Sequence, residues 1–427
     1  MEDFAELEKS SFFYDSMKQV DPAVFYAIEA ENQRQNAAIE MIAPKNYLSA
    51  AVRQGVSSIM SMTSIEGYPG KRYHAGVQNI DTIEQLAIDR AKEMFGASHA
   101  NVQPNSGTQA NQAVFFALLQ PDDPVLSLGL SDGGHLSHGL KSNVSGKWFD
   151  PKFYRTNCDG LIDYAHMEKI AAEHCPKLII VGGSSYPRTI DFPKVAEIAR
   201  KHRAKVLADV SHFSGLIVSG CYPNPFPHVD VITTTTNKNL RGPRGGLILT
   251  KDPDMAKKID SAVFPGIQGG PLPEMITGKA IAFGEALTDD FQIYGNQVVK
   301  NARKFATTLM ENGISVVSDG TDTPLIMVDL RPLRLTGDVA QSAFEDIGLT
   351  CNRNLVPFDP EKPNITSGLR FGTSAVTTRG MHEPEMVELG TLVADVLKSL
   401  PMTAEHIYEH AVTKIRTLSD AFPIYPR

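Results

Sequence analysis

The sequence has few cysteines and no long hydrophobic run. Its 427 residues include four cysteines, and none of them stand in a C-x-x-C spacing. They suit neither a disulfide framework nor a zinc site, so we predict reduced thiols and no bound metal. No segment approaches the roughly 18 apolar residues that a membrane span requires. The N-terminus also lacks the basic and apolar regions of a signal peptide, and we therefore expect a soluble cytoplasmic protein.

Positive charge is scarcer than negative charge. Lys and Arg total 41 and Asp and Glu total 49, which gives a formal net charge of −8. This balance argues against a nucleic acid or an anionic membrane as partner. Hydrophobic residues make up 42 % and charged residues 21 % of the chain, as is usual for globular proteins. A chain of this length can form two or three domains.

Short β-branched runs alternate with helical patterns in the middle of the chain. This alternation predicts an α/β domain with a mostly parallel sheet. In such sheets, ligands bind beyond the carboxyl ends of the strands. The predicted strands cover 124–130, 177–183, 204–210, 229–236 and 245–250, and two predicted helices cover 161–174 and 192–203.

The pattern changes after about residue 290. A long helical stretch is followed by short strands, a helix over 337–348 and a last amphipathic helix over 383–400. We predict an N-terminal helical arm over 1–40 that reaches another subunit, a large domain over 41–290 and a smaller C-terminal α+β domain over 291–427.

The run Asn105–Asn111 precedes an apolar helical pattern. Ser106, Gly107 and Thr108 then lie at a helix N-terminus, where free N–H groups and the helix dipole favour an anion such as phosphate. Ser and Thr are also the usual helix caps, so ordinary capping is the alternative.

Two charged residues follow predicted strands. Asp209 ends a strand, and it is either a helix cap or the carboxylate partner of a ligand cation. Lys238 follows the next strand and precedes a turn with Arg241 and Arg244, whose charges would lower its pKa and favour a Schiff-base lysine. A solvated lysine is the alternative. We call the predicted anion site at Ser106, Gly107 and Thr108 the anion cradle. Together with the anion cradle, Asp209 and Lys238 supply the parts of a pyridoxal phosphate site.

Seven segments stand out along the chain: EGYPGKRYHAG (66–76), HANVQPNSGTQAN (99–111), GGHLSHG (133–139), ADVSHFSGL (208–216), TTTTNKNLRGPRGG (233–246), SAVFPGIQGGP (261–271) and TSGLRFGT (366–373). They closely resemble those of serine hydroxymethyltransferases, and the resemblance extends from about residue 35 to about residue 395. The resemblance implies a fold-type I pyridoxal-phosphate enzyme, a homodimer or dimer of dimers whose active sites lie between two subunits.

The resemblance assigns ten positions to the cofactor. Lys238 would bind it covalently, Asp209 would pair with its pyridinium nitrogen, and His135 would stack on its ring. His212 would reach the phenolic oxygen, while Gly269 and Gly270 would come from the partner subunit. The full set is Ser106, Gly107, Thr108, His135, Ser184, Asp209, His212, Lys238, Gly269 and Gly270.

The resemblance also assigns residues to the substrate and to catalysis. Arg370 would clamp the substrate carboxylate in a bidentate contact, and Glu66 would act as acid or base on the substrate hydroxyl. The predicted catalytic residues are Lys238, Glu66, His135 and Asp209, and the predicted substrate-binding residues are Arg370, Glu66, Tyr73, His74 and Asn354. Asn354, Leu130 and Leu136 match positions that contact folate in the family.

Several residues depart from the family pattern. Asn237 stands where the family has His before the lysine, Ser64 and His74 stand where it has Tyr, and Pro44 and Lys45 replace Ser and Glu of an A-S-E-N run. Changes around a substrate usually alter contacts in the transition state. Neutral drift within an ordinary hydroxymethyltransferase is the alternative explanation.

These departures favour an aldol-type enzyme that uses aldehydes. It would cleave the Cα–Cβ bond of a β-hydroxy-α-amino acid and transfer the resulting glycine carbanion to an aldehyde, as an L-threonine transaldolase or aldolase does. Our hypothesis is that Asn237 and Ser64 slow protonation of the carbanion. The alternative is a tetrahydrofolate-dependent serine or α-methylserine hydroxymethyltransferase, which the retained Asn354, Leu130 and Leu136 favour.

Two more distant alternatives complete the set. One is a catalytically idle scaffold, which the presence of Lys238, Asp209 and Arg370 disfavours. The other is a metal-dependent aldolase, for which His135 and His138 have the right spacing but lack an evident carboxylate partner.

Overall fold

The computed structural model describes residues 14–400 and 405–425. The strands are β1 (Ile39–Glu40), β2 (Gly67–Tyr68), β3 (Lys71–Arg72), β4 (His99–Asn101), β5 (Pro124–Leu128), β6 (Asp150–Tyr154), β7 (Leu178–Gly182), β8 (Lys205–Asp209), β9 (Val231–Thr235), β10 (Gly246–Thr250), β11 (Ser315–Val316), β12 (Leu325–Asp329), β13 (Leu349–Thr350), β14 (Asn352–Asn354) and β15 (Gly368–Gly372). The helices are Met17–Val20, Pro22–Ala37, Ala50–Val56, Gln78–Phe95, Gly107–Leu118, Val144–Trp148, Tyr164–His174, Phe192–His202, Ser214–Val218, Pro253–Ser261, Pro273–Ala286, Asp289–Glu311, Gly337–Asp346, Ser374–Thr378, Glu383–Ser399 and Glu405–Ala421.

A seven-stranded sheet forms the centre of the fold, in the order β4-β10-β9-β8-β7-β5-β6. The pairs from β6 to β9 are all parallel, and β10 is antiparallel to both β9 and β4. Strands β7 and β10 are buried along their whole length, as apolar strands covered on both faces must be. The predicted α/β class with a mostly parallel sheet is therefore confirmed.

The five predicted strands of this sheet correspond to β5, β7, β8, β9 and β10. The predicted helix over 192–203 begins at Phe192, because the Asp191 carboxylate accepts a hydrogen bond from Lys194 N and proline occupies the first turn. Strand β6 escaped the sequence analysis. It carries Pro151, which a strand tolerates at the edge of a sheet, and β6 is such an edge strand.

A second, antiparallel sheet in the order β11-β12-β15-β14 lies in the C-terminal part of the chain. The prediction that helix 383–400 is the last one was wrong, because helix Glu405–Ala421 follows it. This helix buries Ala411, Ile415 and Leu418 at a spacing that one helical face explains.

Buried apolar residues divide into clusters along the sequence. Two clusters lie around the central sheet and draw their residues from positions 65–299, whereas another combines positions 39–41 with 302–418. The predicted domain boundaries at 40/41 and 290/291 remain predictions. Of the predicted arm, residues 1–13 lie outside the described residues, and helix Pro22–Ala37 has no buried side chain.

Within residues 14–400 and 405–425, no helix combines the length and apolar character needed to cross a membrane.

Arg379 joins both ends of the described chain to the C-terminal core. Its buried guanidinium donates hydrogen bonds to the carbonyl oxygens of Ala38 (2.6 Å), Phe422 (2.6 Å) and Ser419 (3.0 Å). Loss of these bonds leaves buried carbonyl groups without donors.

We expect Arg379→Met to lower the free energy of unfolding by about 2–4 kcal/mol, because the apolar side chain cannot donate to these carbonyls. Urea denaturation of the full chain measures the change. Arg200→Met removes an exposed arginine and serves as the matched control. Equal stability of the two variants would contradict this account of Arg379.

Candidate active site

A cavity of about 520 Å³ opens at the carboxyl ends of the parallel strands. Ser184 follows β7, Asp209 ends β8 and Lys238 follows β9, so neighbouring strands deliver these side chains to one place. The cavity is lined by Ile42, Pro44, Lys45, Ser106, Gly107, Thr108, Leu130, His135, Leu136, Gly183, Ser184, Asp209, Ser211, His212, Thr235, Asn237, Lys238, Arg244, Asn354 and Arg370.

Asp209 is the buried anion of the cavity and is only 5 % exposed. Its Oδ2 accepts hydrogen bonds from Asn111 Nδ2 and His138 Nε2, both at 2.9 Å, and its Oδ1 accepts one from Ser211 Oγ at 2.6 Å. Burial alone would raise the pKa of Asp209. The hydrogen bond from His138 and its electrostatic interaction with Asp209, with further help from His135 and Ser211, outweigh burial and hold this pKa far below its ordinary value.

His135 and His138 lie beside this carboxylate. The His135 Nδ1 is 2.8 Å from Ser137 Oγ. The centres of the His135 and His138 rings are 5.6 Å apart, and the angle between the ring planes is 64°. Burial lowers the pKa of His135 to about 4, against the attraction of Asp209. His135 is therefore a neutral ring at the cavity wall near pH 7.

The same three residues form a group that could hold a metal ion, since the ligand atoms of His135, His138 and Asp209 lie within 4.8 Å of one another. The sequence analysis recognised the two histidines but not their carboxylate partner. Both oxygens of Asp209 already accept hydrogen bonds, and His138 Nε2 is one of the donors. We therefore interpret the group as the arrangement that keeps Asp209 ionised.

The predicted anion cradle lies at the start of helix Gly107–Leu118. Ser106 caps this helix, because its Oγ accepts a hydrogen bond from Gln109 N at 3.1 Å. A Cβ at Gly107 would lie 2.6 Å from Thr235 Cγ2, so only glycine fits. The buried Oγ1 of Thr235 has no hydrogen-bond partner in the described residues, and it could donate a hydrogen bond to a bound anion.

Lys238 is 9 % exposed and faces this cavity. The pKa of its amine is lowered to about 7: burial lowers it most, Asp209 opposes this shift, and repulsion from Arg370 and Arg244 adds to it. Its backbone carbonyl accepts a hydrogen bond from Asn46 Nδ2 at 3.0 Å, which fixes the turn after β9. Near pH 7 the amine therefore exists in both its neutral and its protonated form.

Arg370 and His212 add positive and neutral groups to the cavity. Arg370 Nη1 donates to the carbonyl oxygen of Ser184 at 2.5 Å and its Nε donates to Asn352 Oδ1 at 3.0 Å, so the guanidinium plane is fixed. Burial lowers the pKa of Arg370 to about 10, which leaves it charged. Burial, followed by repulsion from Lys238, keeps the pKa of His212 well below its ordinary value.

The mouth of the cavity carries the residues that the sequence analysis related to folate. Leu130 is 39 % exposed and Leu136 is 44 % exposed, so both present apolar surface at the cavity. Asn354 donates to Ser185 Oγ at 3.2 Å. Lys45 and Asn237, two of the departures from the family pattern, also line the cavity.

Five predicted residues do not line this cavity. They form a separate group on the surface of the same chain, which we call the outer cluster: Glu66, Tyr73, His74, Gly269 and Gly270. A Cβ at Gly269 would lie 3.6 Å from Glu66 Oε1, and Tyr73 packs edge-on against Phe264 with ring centres 5.6 Å apart. Tyr73 is 74 % exposed.

Sequence reasoning missed several residues that contact Asp209 or Lys238 or lie beside them. Asn111, Ser211, Thr235 and Asn46 were not singled out, and His138 was considered only as a metal ligand. One signal for Asn111 was available, because it lies one helical turn after Gly107 on the helix that begins at the cradle. Ser211 lies only two residues after Asp209, so a local pattern could also have indicated it, whereas Asn46, Thr235 and His138 depend on contacts between distant segments.

Comparisons with known proteins point to one family over almost the whole chain. A family model described as "Serine hydroxymethyltransferase" matches residues 17–393. A protein named serine hydroxymethyltransferase from Paramagnetospirillum magneticum is 52 % identical over 419 residues, covering 97 % of this chain and 98 % of that protein. Proteins of the same name from Methylobacterium sp. and Rhodospirillum centenum are each 50 % identical, covering 97 % and 98 % of this chain and 97 % and 98 % of their own lengths.

The lowered pKa of Lys238 predicts its reactivity in the cofactor-free protein. Acetylation by acetic anhydride, followed by mass spectrometry, should rise with pH through about 7 and then level off, because only the neutral amine reacts. Exposed lysines should reach half-maximal reaction only near about pH 10.4.

Two variants test the cause of this shift. Asp209→Asn should move the Lys238 midpoint to lower pH, because the carboxylate stabilises the ammonium form, and Arg370→Gln should move it to higher pH. A midpoint shared with the exposed lysines would contradict the assigned burial of Lys238.

Proposed function

Because this chain belongs to the serine hydroxymethyltransferase family, we propose that it transfers the hydroxymethyl group of serine to tetrahydrofolate, leaving glycine. The observation that carries the proposal is the shared cavity of Lys238, Asp209 and Arg370. It brings a reactive amine, a buried anion and a carboxylate-binding cation together, which is the set that amino-acid chemistry on pyridoxal phosphate requires.

The cavity fits this cofactor. The unpartnered Thr235 Oγ1 and the glycine-requiring cradle at Gly107 leave space and a donor for a phosphate group, with Ser106 and Thr108 beside them. When bound, pyridoxal phosphate supplies an aldehyde that condenses with amines and a ring that withdraws electrons from bonds at the amino-acid Cα.

Asp209, His135 and Lys238 would each interact with a different part of the cofactor. Asp209, held ionised by its hydrogen bonds, would keep a proton on the ring nitrogen, and the neutral His135 ring would pack against the cofactor without adding charge. Lys238 Nζ would bind the aldehyde carbon. With a pKa near 7, it can also accept and return a proton.

Arg370 would bind the substrate carboxylate. Two of its nitrogens are already fixed by Ser184 and Asn352, so the guanidinium meets the substrate with little loss of side-chain entropy. By holding the carboxylate, Arg370 would orient the other groups on the substrate Cα, and orientation of that kind can supply much of a catalytic rate.

The outer cluster is proposed to complete the cavity of a neighbouring subunit. Glu66, Gly269 and Gly270 lie together but outside the cavity of their own chain. In a homodimer or dimer of dimers with shared sites, Glu66 would exchange a proton with the substrate hydroxyl of the neighbouring cavity, and the two glycines would approach the cofactor there.

The relatives support hydroxymethyl transfer better than aldehyde transfer, although the departures from the family pattern favour aldehyde transfer. Aldehyde transfer remains a second candidate because of one specific observation. Asn237 lines the cavity next to Lys238, where an amide cannot carry a proton as a histidine would.

The main proposal predicts folate-dependent formation of glycine from serine. Arg370→Lys should lower kcat/KM by about 10- to 100-fold, because lysine cannot reproduce the bidentate contact with the substrate carboxylate. Steady-state assays with and without tetrahydrofolate measure both effects. Arg200→Lys is the control, and glycine formation from serine that does not depend on tetrahydrofolate would contradict the proposal.

The second candidate predicts a different product. Incubation with L-threonine and an aromatic aldehyde, without folate, should give a new β-hydroxy amino acid, and Asn237→His should reduce its yield by restoring a proton carrier. Chromatography of the products measures both yields. Absence of this product from the unsubstituted enzyme rules out the second candidate.

A further inference from the structure

Gln103 is a buried amide that joins three segments around the candidate site, and it is only 1 % exposed. Its Nε2 donates hydrogen bonds to the carbonyl oxygen of Gly67 and to Glu84 Oε1, both at 2.8 Å. The backbone carbonyl oxygen of Gln103 accepts a hydrogen bond from Gln268 Nε2 at 2.9 Å. Gln103 therefore contacts the residue after Glu66 and the residue before Gly269, and it directly precedes the loop that carries the cradle.

Lys279 fixes the same loop from the other side. Its buried Nζ donates to the carbonyl oxygens of Val102 (2.6 Å), Pro104 (3.1 Å) and Gly246 (3.0 Å). Two of these carbonyls flank Gln103 along the chain. The backbone on both sides of Gln103 is therefore held in place, and the Gln103 side chain extends to Gly67 and Glu84 from a fixed segment that continues into the cradle loop.

The segment around Glu66 is held in the same way. Arg72 donates to the carbonyl oxygens of Ile65 (2.8 Å) and Gly67 (2.7 Å), which flank Glu66. The Arg72 guanidinium is paired with the buried Glu84, and Glu84 also accepts the hydrogen bond from Gln103. One buried carboxylate thus connects the backbone of Glu66 with the backbone of the cradle.

We propose that Gln103 is a positioning residue that couples the anion cradle of one active site to the outer cluster that completes the neighbouring active site. The inference rests on the proposed sharing of sites between subunits. Because the cradle and the outer cluster serve different cavities, one substituted amide should change two sites in two different ways.

Gln103→Met tests the coupling, because it keeps the length of the side chain and removes both donors. Arg72 still donates to the carbonyl oxygen of Gly67 and to Oε2 of Glu84, so the variant removes the donor to Glu84 Oε1 but leaves the carboxylate paired with Arg72. Asn301→Leu is the matched control. Asn301 is a fully buried amide that donates to Thr377 Oγ1 and to the Met381 carbonyl oxygen, and it does not line the cavity.

The experiment uses mixed dimers in which one chain carries Lys238→Ala, so that only the cavity of the other chain is active. With Gln103→Met in the chain that retains Lys238, the dissociation constant for pyridoxal phosphate should rise by about tenfold or more. With Gln103→Met in the Lys238→Ala chain, kcat for cleavage of L-threonine should fall by about tenfold, while that constant should rise by much less than in the first arrangement.

Cleavage of L-threonine needs no folate, so it tests the coupling through Gln103 separately from the proposed hydroxymethyl transfer to tetrahydrofolate. An enzyme that cleaves L-threonine but transfers no hydroxymethyl group would contradict the proposed function and leave the coupling testable. The coupling is overturned if Gln103→Met acts only in the chain that retains Lys238, or if Asn301→Leu produces the same two effects. Equal losses of thermal stability in both placements, with unchanged binding and kcat, would also overturn it.

Discussion

The candidate site depends on a carboxylate kept ionised inside the protein. Burial opposes the charge of Asp209, and the hydrogen bonds from Asn111, His138 and Ser211 overcome that opposition. An ionised group in such surroundings stabilises a nearby cation strongly. The same carboxylate limits how far the pKa of Lys238 falls, so it influences both the amine and any ring cation in the cavity.

The parallel sheet makes this arrangement possible. Strands β7, β8 and β9 are neighbours and run in one direction, so their carboxyl ends bring Ser184, Asp209 and Lys238 to the same edge. The buried bonds behind the cavity hold the loops in place. Lys279 and Gln103 restrain the cradle, and Asn46 restrains the turn at Lys238.

Much of this could be predicted from the sequence because it depends on local patterns. Strand β7 is an apolar run and β9 is a β-branched run, and Ser106, Asp209 and Lys238 each follow or precede a recognisable element. The edge strand β6 and the helix Glu405–Ala421 escaped prediction because a proline and a mixed polar composition obscured their patterns. The resemblance assigned Gly269 and Gly270 to a partner subunit, but it gave no sign that Glu66, Tyr73 and His74 also lie outside the cavity of their own chain.

The state of the cofactor ring nitrogen tests the central claim most directly. Pyridoxal phosphate labelled with ¹⁵N at this nitrogen can be bound to the protein and observed by nuclear magnetic resonance at neutral pH. The account predicts a protonated nitrogen in the unsubstituted protein and an unprotonated nitrogen in Asp209→Asn. An unprotonated nitrogen in the unsubstituted protein, or the same signal in both proteins, would contradict the role assigned to Asp209.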